Sequence, residues 1–226
     1  MRRIAAALCA LCLLLDASGG ARAAAPETGR VLVIDAGHGG EDGGAVAADG
    51  TPESELNLEM ALRLEALARF CGVETRMTRR TQALDYPPEL TKTAQRKSWD
   101  QHRRAALVNA TPGAVLLSIH QNKYPDPRPR GPTVLYAADE LSRVFGEAAH
   151  ANLTRALWPE NRRVAAPARK EIYLLRAAEC PAILAECGFL SNPEEAARLA
   201  EPDCQIRIAL ALLGAYFQCF SDAKGT

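Results

Sequence analysis

The sequence predicts an α/β fold: a single domain with a mainly parallel central sheet and helices on both faces. Three observations predict it. Short apolar runs of strand length alternate along the chain with longer amphipathic segments. Three of the runs are almost continuously apolar (Val31-Leu32-Val33-Ile34, Val115-Leu116-Leu117-Ser118-Ile119 and Ala182-Ile183-Leu184-Ala185), the pattern of strands covered on both faces. No repeat and no shift in composition marks a second domain within the 226 residues.

Taken in order, the first strand runs into the loop Asp35-Ala36-Gly37-His38-Gly39-Gly40. Residues 52–71 follow as a helix. Thr51 is placed to cap it, Pro52 suits its first position, Leu56, Met60, Leu64, Leu67 and Cys71 line one face, and Gly72 ends it. Val73, Thr75 and Met77 alternate as a short strand, and the polar stretch 79–94, with Pro87-Pro88, reads as a loop. Gln95 to Asn109 is a helix, and the second buried strand then ends at His120. Four prolines make 123–132 a loop. Thr133 to Tyr136 is a strand, 140–157 a helix and Ile172 to Leu175 a further short strand. The third buried strand ends at Glu186. Asn192-Pro193-Glu194-Glu195 starts a helix with an N-cap, a first-turn proline and two acids at the positive dipole end. A last helix covers about 204–219.

Composition limits the function classes. The chain is 48% hydrophobic and 24% charged, enough to bury a core, and its 27 basic residues balance its 27 acidic ones. A neutral chain with 5% aromatics offers no electrostatic or stacking ground for nucleic acid or an anionic membrane surface. Residues 1–23 read as an export signal: Arg2 and Arg3, the apolar run from Ile4 to Leu15, then Ala21-Arg22-Ala23 for cleavage. That run reaches about 18 Å as a helix against about 30 Å of hydrocarbon, so it is a poor transmembrane anchor. The remaining chain, 24–226 with a core at about 30–220, keeps five cysteines. Their odd number leaves at least one thiol unpaired, and none has CxxC spacing for thiolate zinc or redox chemistry.

Ligands of an open parallel sheet bind beyond the carboxyl ends of its strands. Three strands here end at His38, His120 and Glu186, and Glu53 opens the helix after the His38 loop. Two imidazoles and two carboxylates are the residue types of a catalytic zinc site. Each alone is weak. A lone His after a strand is usually structural, and Glu53, Glu55 and Glu59 also suit a solvated helix face. Glu186 is the most telling, because a carboxylate in so apolar a strand is costly to bury unless paired or bound to metal. His102 and His150 read as surface residues. The glycines around His38 lack the spacing of either common phosphate loop.

The run 31–45 resembles the opening signature of the zinc-dependent N-acetylmuramoyl-L-alanine amidases. Gly50-Thr51-Pro52-Glu53-Ser54-Glu55-Leu56-Asn57-Leu58 is similar to their second block, Ser118-Ile119-His120-Gln121-Asn122 to their third, and Glu186-Cys187-Gly188-Phe189-Leu190-Ser191-Asn192-Pro193-Glu194-Glu195 to their last. Gln95-Arg96-Lys97-Ser98, the proline-rich loop and Glu171-Ile172-Tyr173-Leu174-Leu175 resemble the spore-cortex, germination-specific branch. Glu55 and Cys187 depart from the usual Asp and aliphatic residue. The resemblance implies one Zn2+ held by His38, Glu53 and His120, with Glu186 as the catalytic carboxylate. It implies hydrolysis of the amide between the lactyl group of N-acetylmuramic acid and L-alanine, in peptidoglycan of the cell envelope or spore cortex. In some members of that branch a lipoprotein is a partner. Asn122 and Arg104 are candidates for orienting ligands or substrate, whereas Arg128 and Arg130 read as a solvated loop rather than as contacts to stem-peptide carboxylates. Rival readings are a zinc-containing peptidoglycan-binding protein active only with a partner, and a zinc peptidase acting within the stem peptide.

Overall fold

The structure, a computed structural model, describes residues 29–220, so the export segment expected at 1–23 lies outside the described residues. Strand β1 (Val31–Ala36) is buried at all six positions and pairs in parallel with β2 (Glu74–Met77) on one side and β3 (Ala114–Asn122) on the other. β3 pairs in parallel with β6 (Ala182–Phe189). β4 (Thr133–Tyr136) then runs antiparallel to β6, and the two-residue β5 (Ala166–Pro167) closes the order β2-β1-β3-β6-β4-β5. The sheet is therefore mainly parallel with a reversed edge, as expected of α/β domains.

Strand alternation divides the core in two. Leu32, Ile34, Val115, Leu117, Ile119, Ile183 and Ala185 face helices α1 (Glu53–Phe70), α3 (Glu140–Leu157), α5 (Pro193–Ala200) and α6 (Pro202–Phe220). Val33, Leu116, Ala182 and Leu184 face α2 (Thr93–Asn109) and the short α4 (Tyr173–Ala177). Both layers carry fully buried side chains, so the sheet is sandwiched as predicted. The five cysteines among the described residues are free thiols.

Several expectations change. Ile172 to Leu175 is not a strand: Tyr173–Ala177 is helical, with Leu174 and Leu175 buried in the cluster that holds Ala105 and Val108 of α2. A four-residue apolar run is too short for periodicity to separate strand from helix. α1 is capped at Pro52, with no side-chain cap from Thr51. β3 and β6 extend past their apolar runs, so His120 and Glu186 lie within strands, as direct cross-strand partners. His150 is buried on the inner stripe of α3 with Gly146, Leu153 and Leu157, while His102 is exposed as expected. The helical spacing places His150 inside, although its immediate neighbours suggest a surface.

Candidate metal and catalytic site

β1 delivers the chain to a tight turn in which the Gly39 N–H donates to the Asp42 carbonyl at 2.8 Å and the Asp42 N–H donates back at 3.0 Å. His38 there has φ +59°, alone among the described non-glycine residues in being left-handed. Gly37 admits no side chain, because the His120 imidazole occupies the space a Cβ would take. At Gly44, with φ +70°, a Cβ would likewise collide with Glu53 Oε2 and the His38 ring. The glycines thus let backbone approach two imidazoles that stand edge to face, with ring centroids 4.9 Å apart.

Glu53 opens α1 with 3% of its surface exposed and reaches between the rings. Its Oε2 lies 3.3 Å from His38 Nε2, and its Oε1 lies 3.0 Å from His120 Nδ1. The backbone N–H groups of Ala45 and Gln121 donate to the same carboxylate at 2.9 and 3.0 Å, and Asn57 Nδ2 donates at 3.2 Å. Those contacts hold the carboxylate in one orientation. On the far side of His38, Nδ1 meets Asp42 Oδ2 at 2.9 Å, which leaves Nε2 facing Glu53. Asp42 in turn pairs with Lys97 at 3.1 Å.

One ligand atom from each of His38, Glu53 and His120 falls within 4.8 Å of the other two. Ligands about 2.1 Å from one tetrahedral ion stand about 3.4 Å apart, so the trio fits a divalent metal with little adjustment. Two imidazoles and a carboxylate suit zinc, and the bond from Asp42 to His38 is the outer contact such ligands make. Burial pulls the His38 pKa down, but the hydrogen bonds and charges of Asp42 and Glu53 outweigh it and carry it up to about 9. Burial works to raise Glu53, yet His120 and His38 hold it well below the usual carboxylate range.

Glu186, beside His120 across the β3–β6 ladder, completes the constellation. Its Oε2 is buried with no hydrogen-bond partner among the described residues. Burial pushes its carboxyl upward, the Glu53 charge adds to that, and His120 and His38 oppose it. A buried carboxylate oxygen without a partner beside a ligand cluster suits a group that receives a bound molecule.

The four principal residues predicted from sequence are thus brought together; of the two lesser ones, Arg104 reaches the backbone of His38 and Asn122 makes no side-chain hydrogen bond to any of the four. Asn122 accepts from the Lys123 N–H at 2.8 Å through its side-chain oxygen. Arg104 lies underneath, buried, paired with Asp35 and Asp100 at 2.7 and 2.6 Å and donating to the carbonyls of Ala36 and His38. Arg128 pairs with Asp126 at 2.5 Å within the loop, while Arg130 leaves it to pair with Glu194 of α5 and stack on Trp158. Sequence reading missed Asp42, Gln121 and Arg79. Asp42 had a local signal, four residues from His38 in the same turn. Arg79 had none, since the carbonyls of Ala36, Gly37 and Ser54 that it holds are remote in sequence.

Residues 32–215 match the family described as N-acetylmuramoyl-L-alanine amidase. The chain is 31% identical over 203 residues to the germination-specific N-acetylmuramoyl-L-alanine amidase of Bacillus subtilis (strain 168), covering 87% of this chain and 82% of that protein. The CwlD amidase of Clostridioides difficile, solved in complex with the GerS lipoprotein, aligns with TM-score 0.81 and 31% identity over 85% of this chain and 98% of that one. The catalytic domain of CwlV from Bacillus (Paenibacillus) polymyxa var. colistinus aligns with TM-score 0.71 and 27% identity, over 84% and 97%. Similarity that begins in β1, runs into α6 and preserves the sheet throughout leaves one assignment: the chain belongs to the N-acetylmuramoyl-L-alanine amidase family and is a peptidoglycan amidase.

Proposed function

We propose that the chain cleaves the amide between the lactyl group of N-acetylmuramic acid and L-alanine with one zinc ion held by His38, Glu53 and His120, and with Glu186 as the proton carrier. The observation that carries the reading is the gathering of three ligand atoms within 4.8 Å beside the unpartnered Glu186 Oε2. Zinc supplies Lewis-acid polarisation of an amide carbonyl and acidifies water. Glu186 Oε2 accepts the proton of the attacking water and returns it to the departing amine of L-alanine. Asp42 keeps His38 in the tautomer that turns Nε2 inward, and the N–H groups of Ala45 and Gln121 keep Glu53 aimed between the imidazoles.

The same proposal places the enzyme outside the cytoplasmic membrane, in the cell envelope or spore cortex, with a role in germination. Likeness to the germination-specific relative supports that role, as does the leader-like composition of residues 1–23. No helix among the described residues is long and apolar enough to cross a membrane. A lipoprotein partner is part of the proposal because the relative with TM-score 0.81 was solved with one.

The test is mass spectrometry of peptidoglycan digested by the zinc-loaded protein and by Glu186→Gln. Free, intact stem peptides are expected from the wild type. The variant should keep its zinc and turn over about 10²–10⁴-fold more slowly. Shortened stems still joined to glycan would replace the amidase bond with one inside the peptide. A variant with wild-type turnover would remove Glu186 from the chemistry.

A further inference from the structure

His38 holds a backbone conformation that ordinary residues avoid, and such a position persists only where its surroundings over-determine it. Here the surroundings are two buried guanidiniums from separate elements. Arg79, just past β2, donates from Nε to the Ala36 carbonyl at 2.9 Å and from Nη2 to the Gly37 carbonyl at 3.0 Å. The same Nη2 donates at 2.7 Å to the carbonyl of Ser54, the residue next to Glu53. Arg104, on α2, donates from Nη1 to the Ala36 carbonyl at 2.7 Å and from Nη2 to the His38 carbonyl at 2.5 Å. Three consecutive carbonyls, 36 to 38, are therefore held by two side chains, and one of those side chains also holds the backbone beside the second candidate ligand.

The two arginines are not equivalent. Arg104 is neutralised by Asp35 and Asp100. Arg79 is 5% exposed and makes no ion pair among the described residues; its remaining donor goes to the Thr81 carbonyl and the Gln82 side chain. A guanidinium buried without a carboxylate partner is an expensive way to stabilise a fold. What Arg79 does achieve is to join the His38 turn to the start of α1, across a stretch that contains Gly39, Gly40, Gly43, Gly44 and Gly50 and would otherwise be costly to order.

We infer that Arg79 and Arg104 are positioning residues that build the ligating arrangement of His38 and Glu53 into the free chain, so that zinc meets a preformed site. The inference rests on the metal reading proposed above. Ligands already held in their bound geometry bind more tightly because less ordering remains to be done. Lysine keeps the charge but presents one compact head that cannot span several carbonyls.

The experiment is a zinc titration of the purified protein alone, by competition with a chromophoric chelator. Arg79→Lys, Arg104→Lys, Arg79→Ala and, as the ligand control, His120→Ala are titrated alongside, each at a temperature where circular dichroism shows it folded. The wild type is expected to bind one zinc unaided. Arg79→Lys should bind about 10–100-fold more weakly, the range found for contacts that orient metal ligands. Millimolar guanidinium ion should restore part of the affinity of Arg79→Ala, a response that general loosening would not give. If Arg79→Ala does not fold, the two lysine variants decide. Wild-type affinity in both lysine variants would overturn the inference. So would a wild type that takes up zinc only after a lipoprotein partner is added. A wild type that binds no better than His120→Ala under either condition would instead remove the metal reading itself.

Discussion

At the scale of single residues, Asp35 shows how charge is used beneath the site. It is buried, and it accepts from Thr78 Oγ1 at 2.7 Å, Ser118 Oγ at 2.5 Å and Arg104 Nη1 at 2.7 Å. Burial alone would raise its pKa, but the Arg104 charge and the two hydroxyls lower it from 3.8 to about 2. A carboxylate depressed in the folded state adds stability that is full above 3.8 and is lost as the pH falls through 2. Asp35→Asn is therefore expected to cost about 3 kcal/mol at pH 7, because Arg104 keeps its buried charge with one partner fewer. The gap to wild type should close as the pH falls from 3.8 to 2, which urea unfolding at a series of pH values measures. A pH-independent gap would mean that packing, not charge, is lost. Glu53 makes the complementary point. Sequence left it beside Glu55 and Glu59 as three acids of one helix, yet only Glu53 turns between the imidazoles. Glu55 is exposed, and Glu59 accepts from Gln205 at 2.7 Å.

At the scale of elements, α5 begins as its sequence predicts and also anchors the loop over β6. Asn192 accepts from the Glu195 N–H at 3.1 Å, and its Nδ2 donates to the Pro127 carbonyl at 2.9 Å. Glu195 then receives the N–H groups of Gly131 and Phe189, both at 2.8 Å, which fastens the far end of the same loop. Asn192→Ala should lower stability by about 1 kcal/mol, and Asn192→Asp should recover most of it by restoring the cap alone. Limited proteolysis within 123–132 should quicken in both, since neither bonds to Pro127. Thermal melts and cleavage rates test the two halves; equal melts for wild type and Asn192→Ala would show that the cap is idle. The buried strands and this cap were legible because each carries a local pattern. The helix at Tyr173–Ala177 was not, because only burial against α2 selects helix over strand there.

For the molecule as a whole, the two-sided apolar core stands independently of the ligand trio, which sits at the carboxyl edge of the sheet. If the site holds zinc as proposed, a chelator is expected to abolish amidase activity while leaving the far-UV circular dichroism unchanged and lowering Tm by only a few degrees, the linkage expected of a ligand that binds the folded state. Re-addition of zinc should restore activity. Unfolding on chelation would make the metal a structural part of the fold.

The fold class and the order of the main strands and helices were legible in the amino-acid sequence, and its motif blocks offered His38, Glu53, His120 and Glu186 as the candidates that the structure gathers. Periodicity and capping are local, and the motif blocks around those four residues are contiguous. Tertiary structure alone decided that His120 and Glu186 are cross-strand partners within β3 and β6, that Arg104 lies beneath the site, and that Arg79 joins the His38 turn to α1. Those relations depend on strand register and on hydrogen bonds to carbonyl groups. Every residue has a carbonyl, so no pattern of side chains along the chain announces which of them a buried guanidinium will hold.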